Sequence, residues 1–250
     1  MVLQWALPVL SALVAVSVLI LANRLRPKSW RKNEEGGGDG FVLDIISTFF
    51  TAVVALVVVI GWQNYDNAHS HTVAEAKALV GVHSAAAALP QAERDRIQGL
   101  VRDYTTQVLD HEWPVMAQKH RLSESTQQTF DTLRAEVAAL RDADDNVRSS
   151  VLAGLDGVAQ ARYDRAMDAR LSIPGFLYAA LWFGTALLLL RMVLAGQDVT
   201  RRSLLMTAVL GVVVGWVILA IYSLDRPLSG GSVVPRDAFE LALTRFRHGS

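Results

Sequence analysis

The chain contains no cysteine. That excludes disulfides, Cys-ligated zinc and thiol catalysis, and it frees the fold from any need for an oxidising compartment. Charge is scarce as well: only 19% of residues are charged, and 24 Lys/Arg balance 24 Asp/Glu. A chain without net charge gives no electrostatic case for a nucleic-acid partner. There is no phosphate-binding glycine loop and no serine within a Gly-x-Ser-x-Gly turn. His111-Glu112 matches the opening of a zinc-protease helix, but position 115 is Val where the second His would fall. His69 and His71, two apart, face different sides of a helix. No cofactor, no metal site and no catalytic residue is expected, and nothing argues for an enzyme.

Apolar sequence is what the chain has in abundance. Hydrophobic residues make up 52% of it, and mean hydropathy is +0.28. A bilayer span needs about 20 mostly apolar residues. Four stretches qualify: Val2 to Ala22, Phe41 to Trp62, Pro174 to Leu194 and Leu204 to Leu224. The fold class expected is an all-α membrane protein: four transmembrane helices, with an extramembrane antiparallel helical bundle inserted between the second and third. The domains expected are 1–62 (two spans and a basic loop), 63–172 (the bundle), 173–224 (two spans) and 225–250 (a tail with a short amphipathic helix).

The first span has no Lys or Arg before it, whereas Arg24, Arg26, Lys28, Arg31 and Lys32 follow it. This is the pattern of a retained helix rather than a cleaved signal peptide. Short loops rich in Lys and Arg stay cytoplasmic. The loop with Arg201 and Arg202 is basic too, so the orientation expected is a plasma-membrane protein with both termini and residues 63–172 outside the cytoplasm. Trp5, Trp62, Tyr65 and Tyr222 lie near span ends, as an interfacial belt requires; Trp182 is too deep for it.

Residues 63–172 read as helix nearly throughout. The expected stripes are Val73, Ala76, Val80, His83 and Ala87; then Ile97, Val101, Tyr104, Val108 and His111; then Phe130, Leu133, Val137 and Leu140; then Val147, Val151, Leu155 and Val158. Pro90 suits a first helical turn, Pro114 interrupts or kinks the second helix, Ser125 with Gln128 forms a capping box, and Asp142 or Asp144 caps the fourth helix. His83 and His111, on apolar stripes, are expected as hydrogen-bonded core residues. No Gly or Pro follows Trp62 before the first stripe, so the second span is expected to continue into the bundle as one helix, from Phe41 to Leu89.

Four features invite a functional reading. Asp44 and Arg191 lie inside opposed spans near the same membrane edge, and charges in lipid are costly enough to seek a partner; the two are expected to pair. Gly211 and Gly215 in the fourth span, like Ala180 and Gly184 in the third, let helices approach closely, within a subunit or between subunits. Asp225, Pro227, Gly230 and Gly231 make a tight loop after the last span. Beyond it, Phe239, Leu243 and Phe246 line one side of a short helix that either lies in the membrane interface or docks on the bundle.

The order Glu75, Asp103-Tyr104, Glu112-Trp113-Pro114, Arg162, Arg170, Pro174, Leu224-Asp225-Arg226-Pro227 and Gly230 resembles a bacterial membrane family described as bestrophin-like, over roughly positions 40–246. Members have two spans, a helical domain, two spans and a Leu-Asp-x-Pro tail. The family usually has Phe after that proline, where this chain has Leu228. The resemblance implies kinship with anion channels and no settled activity. Read physically, Glu75, Asp103 and Glu112 are acids, and Arg162 and Arg170 bases, suited to an ion-pair network between helices. Two functions are open: a homo-oligomeric membrane protein that passes ions or regulates their passage, or a non-conducting scaffold or sensor whose bundle binds a partner or envelope component. The partners expected are the lipid bilayer, further copies of the chain and ions, with no nucleic acid.

Overall fold

A computed structural model describes residues 2–25, 37–140, 144–170, 172–194, 199–225 and 234–248. The described residues contain helices and no strand. In chain order the α-helices are α1 (Val2–Leu25), α2 (Gly37–Ala85), α3 (Gln91–Gln107), α4 (Trp113–Lys119), α5 (Glu124–Ala138), α6 (Asp145–Asp168), α7 (Gly175–Leu194), α8 (Arg201–Leu224) and α9 (Asp237–His248). A 3₁₀ turn, Ala86–Ala88, follows α2, and a π-turn, Val108–Glu112, joins α3 to α4. The chain divides into two compact units, residues 1–62 with 173–224, and residues 63–172 with 225–250.

The first unit holds α1, the first part of α2, α7 and α8. Among the described residues three stretches are long and apolar enough to cross a membrane: Ala6–Leu25, Asp44–Ala88 and Arg201–Leu224. Gly175–Arg191 is also apolar but shorter. Leu13, Phe49, Leu56, Phe183 and Leu205 stand exposed on these helices. Helices apolar on every side do not suit water, and in hydrocarbon the exposure costs nothing. Close packing inside the unit rests on small residues. A Cβ on Gly211 would lie 2.6 Å from Ala12 Cα, and one on Gly215 2.7 Å from Pro8 Cα, so α8 meets the backbone of α1. The Ser11 hydroxyl, 2.5 Å from the Gly211 carbonyl, adds a polar tie. Gly184 makes room for the ring of Phe50. Val57, Ile173, Leu177, Leu181 and Ile221 form a second packed cluster.

α2 is a single 49-residue helix, roughly 70 Å long at about 1.5 Å per residue. Its residues 63–85 enter the second unit, where α3 to α6 and α9 complete a helical bundle. Ile97, Val101, Tyr104, Val108, Phe130, Leu133, Val137, Val151, Leu155 and Val158 are buried together with Phe239, Ala242 and Phe246 of α9. The tail helix therefore docks on the bundle. Several local expectations need correction. On this part of α2 and the 3₁₀ turn after it the buried positions are Ala68, Thr72, Glu75, Leu79, Val82 and Ala86, with Ala76 and His83 beside them; Val73 and Val80 sit on the flank and Ala87 is exposed. This stretch is rich in alanine, so its apolar stripe has little contrast, and the polar Thr72 and Glu75 belong to the inner face. Ser123, not Ser125, takes the N-cap position of α5, without a side-chain cap hydrogen bond; its hydroxyl shares one with that of Ser125. Asp144 caps α6 by accepting from the Asn146 amide at 2.7 Å; Asp142 lies outside the described residues.

Pro114 does not end the helix. It has no N–H to donate, so the preceding turn closes with wider i→i+5 bonding. The π-turn carries one residue more than an α-turn would, and it rotates the helix beyond it. His111 becomes exposed, and Glu112 takes the buried place.

Candidate functional site

The inward turn of Glu112 is the first element of a charged cluster inside the bundle. From α2 comes Glu75, from α3 Tyr104, from the π-turn Glu112, and from α6 Arg162 and Arg165; all five are buried. Arg165 lies at the centre. Its Nε and Nη2 donate to Glu75 at 2.8 and 3.2 Å, and Nη2 also donates to Glu112 Oε1 at 2.6 Å. Its Nη1 reaches the Met116 sulfur at 3.1 Å. Arg162 grips Glu112 with two parallel bonds of 2.8 and 2.6 Å, a bidentate geometry that fixes both side chains. Arg162 also donates to the Tyr104 oxygen at 2.8 Å and to Gln127 at 3.2 Å. The Tyr104 hydroxyl in turn donates to Glu75 at 2.7 Å. The Ser123 amide supplies a further donor to Glu112 at 3.2 Å.

Two carboxylates meet two guanidinium groups, so the cluster is neutral. Burial works against the charge of Arg165, and Glu75 and Glu112 more than offset it, holding its pKa above the usual value. Burial, with Glu75 beside it, pushes the Tyr104 hydroxyl well above its ordinary range, keeping it a donor. Aromatic rings close the faces: the Arg165 guanidinium lies 5.7 Å from the Trp113 ring and 5.6 Å from the Phe239 ring. Phe239 is on α9, so the tail helix forms one wall. One turn along α6, buried Asp168 accepts from His71 Nδ1 at 2.7 Å, and burial holds its carboxyl above the usual range despite that bond.

Of the positions singled out in the sequence, Glu75, Tyr104, Glu112, Trp113 and Arg162 gather here. Asp103 and Arg170 are exposed and outside the cluster. Pro174 stands exposed before α7, its carbonyl accepting from the Leu177 amide at 2.9 Å. Asp225 is buried in the second unit; Pro227 and Gly230 lie outside the described residues. Arg165 was not anticipated, yet a signal for it existed. Val151, Leu155, Val158, Arg162 and Arg165 continue one stripe at spacings of four and three.

A separate polar site lies in the first unit. Arg191 Nη2 on α7 stands 2.7 Å from Asp44 Oδ1 on α2, and its Nη1 donates to Ser47 at 2.8 Å. Asp44 is 65% and Arg191 42% exposed on the single chain. Thr48 and Thr51 are exposed on the next turns of α2, their hydroxyls turned back to the Asp44 and Ser47 carbonyls at 2.9 Å. Among the described residues no group of three or more His, Asp or Glu side chains is placed to hold a metal ion.

Long apolar helices, a charge pair within them and a bundle closed around buried ion pairs together define a helical membrane protein. The bestrophin-like domain family matches residues 9–239, and the chain belongs to that family. Solved structures carry the same fold. A point mutant of a bacterial bestrophin homologue from Klebsiella pneumoniae matches with a TM-score of 0.72 at 14% identity, over 96% of this chain and 97% of that one. The same organism's homologue, solved by zinc phasing, matches with a TM-score of 0.71 at 14% identity over 95% and 96%. A point mutant described as a membrane protein matches with a TM-score of 0.66 at 14% identity over 96% of both chains. Among curated proteins no sequence matches.

Proposed function

We propose that the protein is one subunit of an oligomeric pore that passes ions across the plasma membrane, with the exposed edge of α2 lining the path. The observation that carries this reading is the polar run Asp44, Thr48 and Thr51, exposed on a helix of membrane-crossing length. An ionisable group is too costly to leave against lipid, so the edge that carries Asp44 faces water or another copy. Beyond them Ala52, Ala55, Leu56, Val59 and Trp62 keep the exposed face apolar, a composition suited to a narrow gate that wets and dries. Kinship with anion channels, implied by the family, points the same way. In this reading all four apolar stretches span the bilayer, and the basic loops put both termini and the bundle outside the cytoplasm.

The test is ion flux from proteoliposomes carrying the purified oligomer. Flux is expected, and a bulky thiol reagent should block it after Thr51→Cys, a probe without background in a Cys-free chain. A sealed liposome would overturn the pore, and flux indifferent to modification at this position would overturn its lining by the α2 edge. Impermeant labelling of Ser125→Cys but not Asn33→Cys in intact cells is the expected orientation; the opposite pattern would invert it. The alternative, a non-conducting scaffold or sensor, draws on the closed charge cluster of the bundle, which stiffens a surface for a partner and predicts no flux.

A further inference from the structure

We propose that the Asp44–Arg191 pair governs the preference of the pore between cations and anions, each charge masking the other; this rests on the pore reading above. The geometry has three parts. The pair is a direct contact at 2.7 Å, and it remains well exposed on the single chain, so it is not a core ion pair. Asp44 lies on the same exposed edge as Thr48 and Thr51, one and two turns away. Arg191 comes from a different helix and is held by a second bond to Ser47, so its charge is fixed over α2 rather than free to swing into the headgroups.

A carboxylate and a guanidinium in contact form a dipole whose field falls off faster than that of either charge. A passing ion meets an almost neutral edge while both are present. With one removed, it meets a whole charge repeated in every subunit. In water a unit charge about 6 Å away changes the local concentration of an ion roughly threefold, upward for one sign and downward for the other. The two single neutralisations should therefore move selectivity in opposite directions, which no general weakening of the fold would do.

The experiment is the K⁺/Cl⁻ permeability ratio, from reversal potentials of the reconstituted full-length oligomer in a KCl gradient. Relative to the wild type, Asp44→Asn should shift the ratio toward Cl⁻ and Arg191→Gln toward K⁺, each by roughly tenfold, since one ion gains and the other loses about threefold beside a single unmasked charge. The exchanged pair, Asp44→Arg with Arg191→Asp, should return it close to the wild-type value. If a single variant fails to assemble, Ser47→Cys provides a route that leaves the pair intact. A negatively charged thiol reagent should move the ratio toward K⁺ and a positive one toward Cl⁻. Shifts in the same direction, or unmoved ratios in a conducting channel, would overturn this assignment and leave the pore standing. A sealed wild-type protein would overturn both.

Discussion

Arg165 satisfies two carboxylates from different helices, and its removal leaves both short of a partner in a buried site. Breaking a buried pair in this way costs about 3–5 kcal/mol. Arg165→Leu should lower stability by that amount in thermal or denaturant unfolding. Arg165→Lys should rescue little, because an ammonium cannot span Glu75 and Glu112 as the guanidinium fork does. Tyr104→Phe removes one donor to Glu75 and one acceptor for Arg162, for a smaller expected loss of about 1–2 kcal/mol. The acids of this cluster, its tyrosine and Arg162 could be named from the order of residues along the chain; which arginine joins the two acids could not. Arg170 sits off the stripe that Val158 and Arg162 mark, whereas Arg165 sits on it. A stripe read as apolar only stops at Val158, one turn short of the arginines that complete it. Asp103 was misleading for the same geometric reason: it neighbours buried Tyr104 in sequence and faces away from it.

The helices themselves were more legible than their faces. α1, α2, α7 and α8 follow from unbroken apolar runs, and the passage of α2 through Trp62 follows from the lack of any breaker. The π-turn was not legible, because Pro114 announces a disturbance without saying whether the helix breaks, kinks or slips by a residue. α9 carries the clearest pH dependence among the elements. His83 stacks on Phe246 at 4.5 Å, and its Nε2 has no hydrogen-bond partner among the described residues, contrary to the hydrogen-bonded core histidine expected. Arg102 from α3 acts on it electrostatically, and Arg245 and His248 from α9 line the cavity beside it, whose lining contains no carboxylate. Burial, then Arg102, hold the imidazole below its ordinary pKa of 6.5. The docked helix thus prefers neutral His83. Its stability is complete above the unfolded value of about 6.5 and declines as pH falls toward the depressed folded value. Hydrogen-exchange protection of Phe239 to Phe246, corrected for intrinsic rates, should drop on acidification, and His83→Phe should flatten that drop while keeping the stack. Helix contacts in the first unit give a graded test. Gly211→Ala drives a methyl into the backbone of α1, which cannot swing aside; Gly184→Ala meets the ring of Phe50, which can turn. Overpacking losses of about 1–3 kcal/mol are expected at Gly211, and smaller ones at Gly184, in detergent unfolding.

At the scale of the whole molecule, the chain visits its two units alternately. Residues 63–172 are followed by α7 and α8 of the other unit before Asp225–Ser250 return to complete the bundle. Phe239, a wall of the Arg165 site, lies 74 residues after the arginine it covers. Synthesis proceeds from the N-terminus at about 5–20 residues per second, and segments fold as they emerge. The bundle therefore waits, with Arg165, Trp113 and His83 uncovered, until α7 and α8 have left the ribosome and α9 has followed. A chain stopped at Val234 should insert yet expose its bundle to protease, and α9 supplied as a separate peptide should restore resistance. Quality control in the cell thus has a defined window in which to recognise an unfinished bundle, closed when α9 emerges and docks.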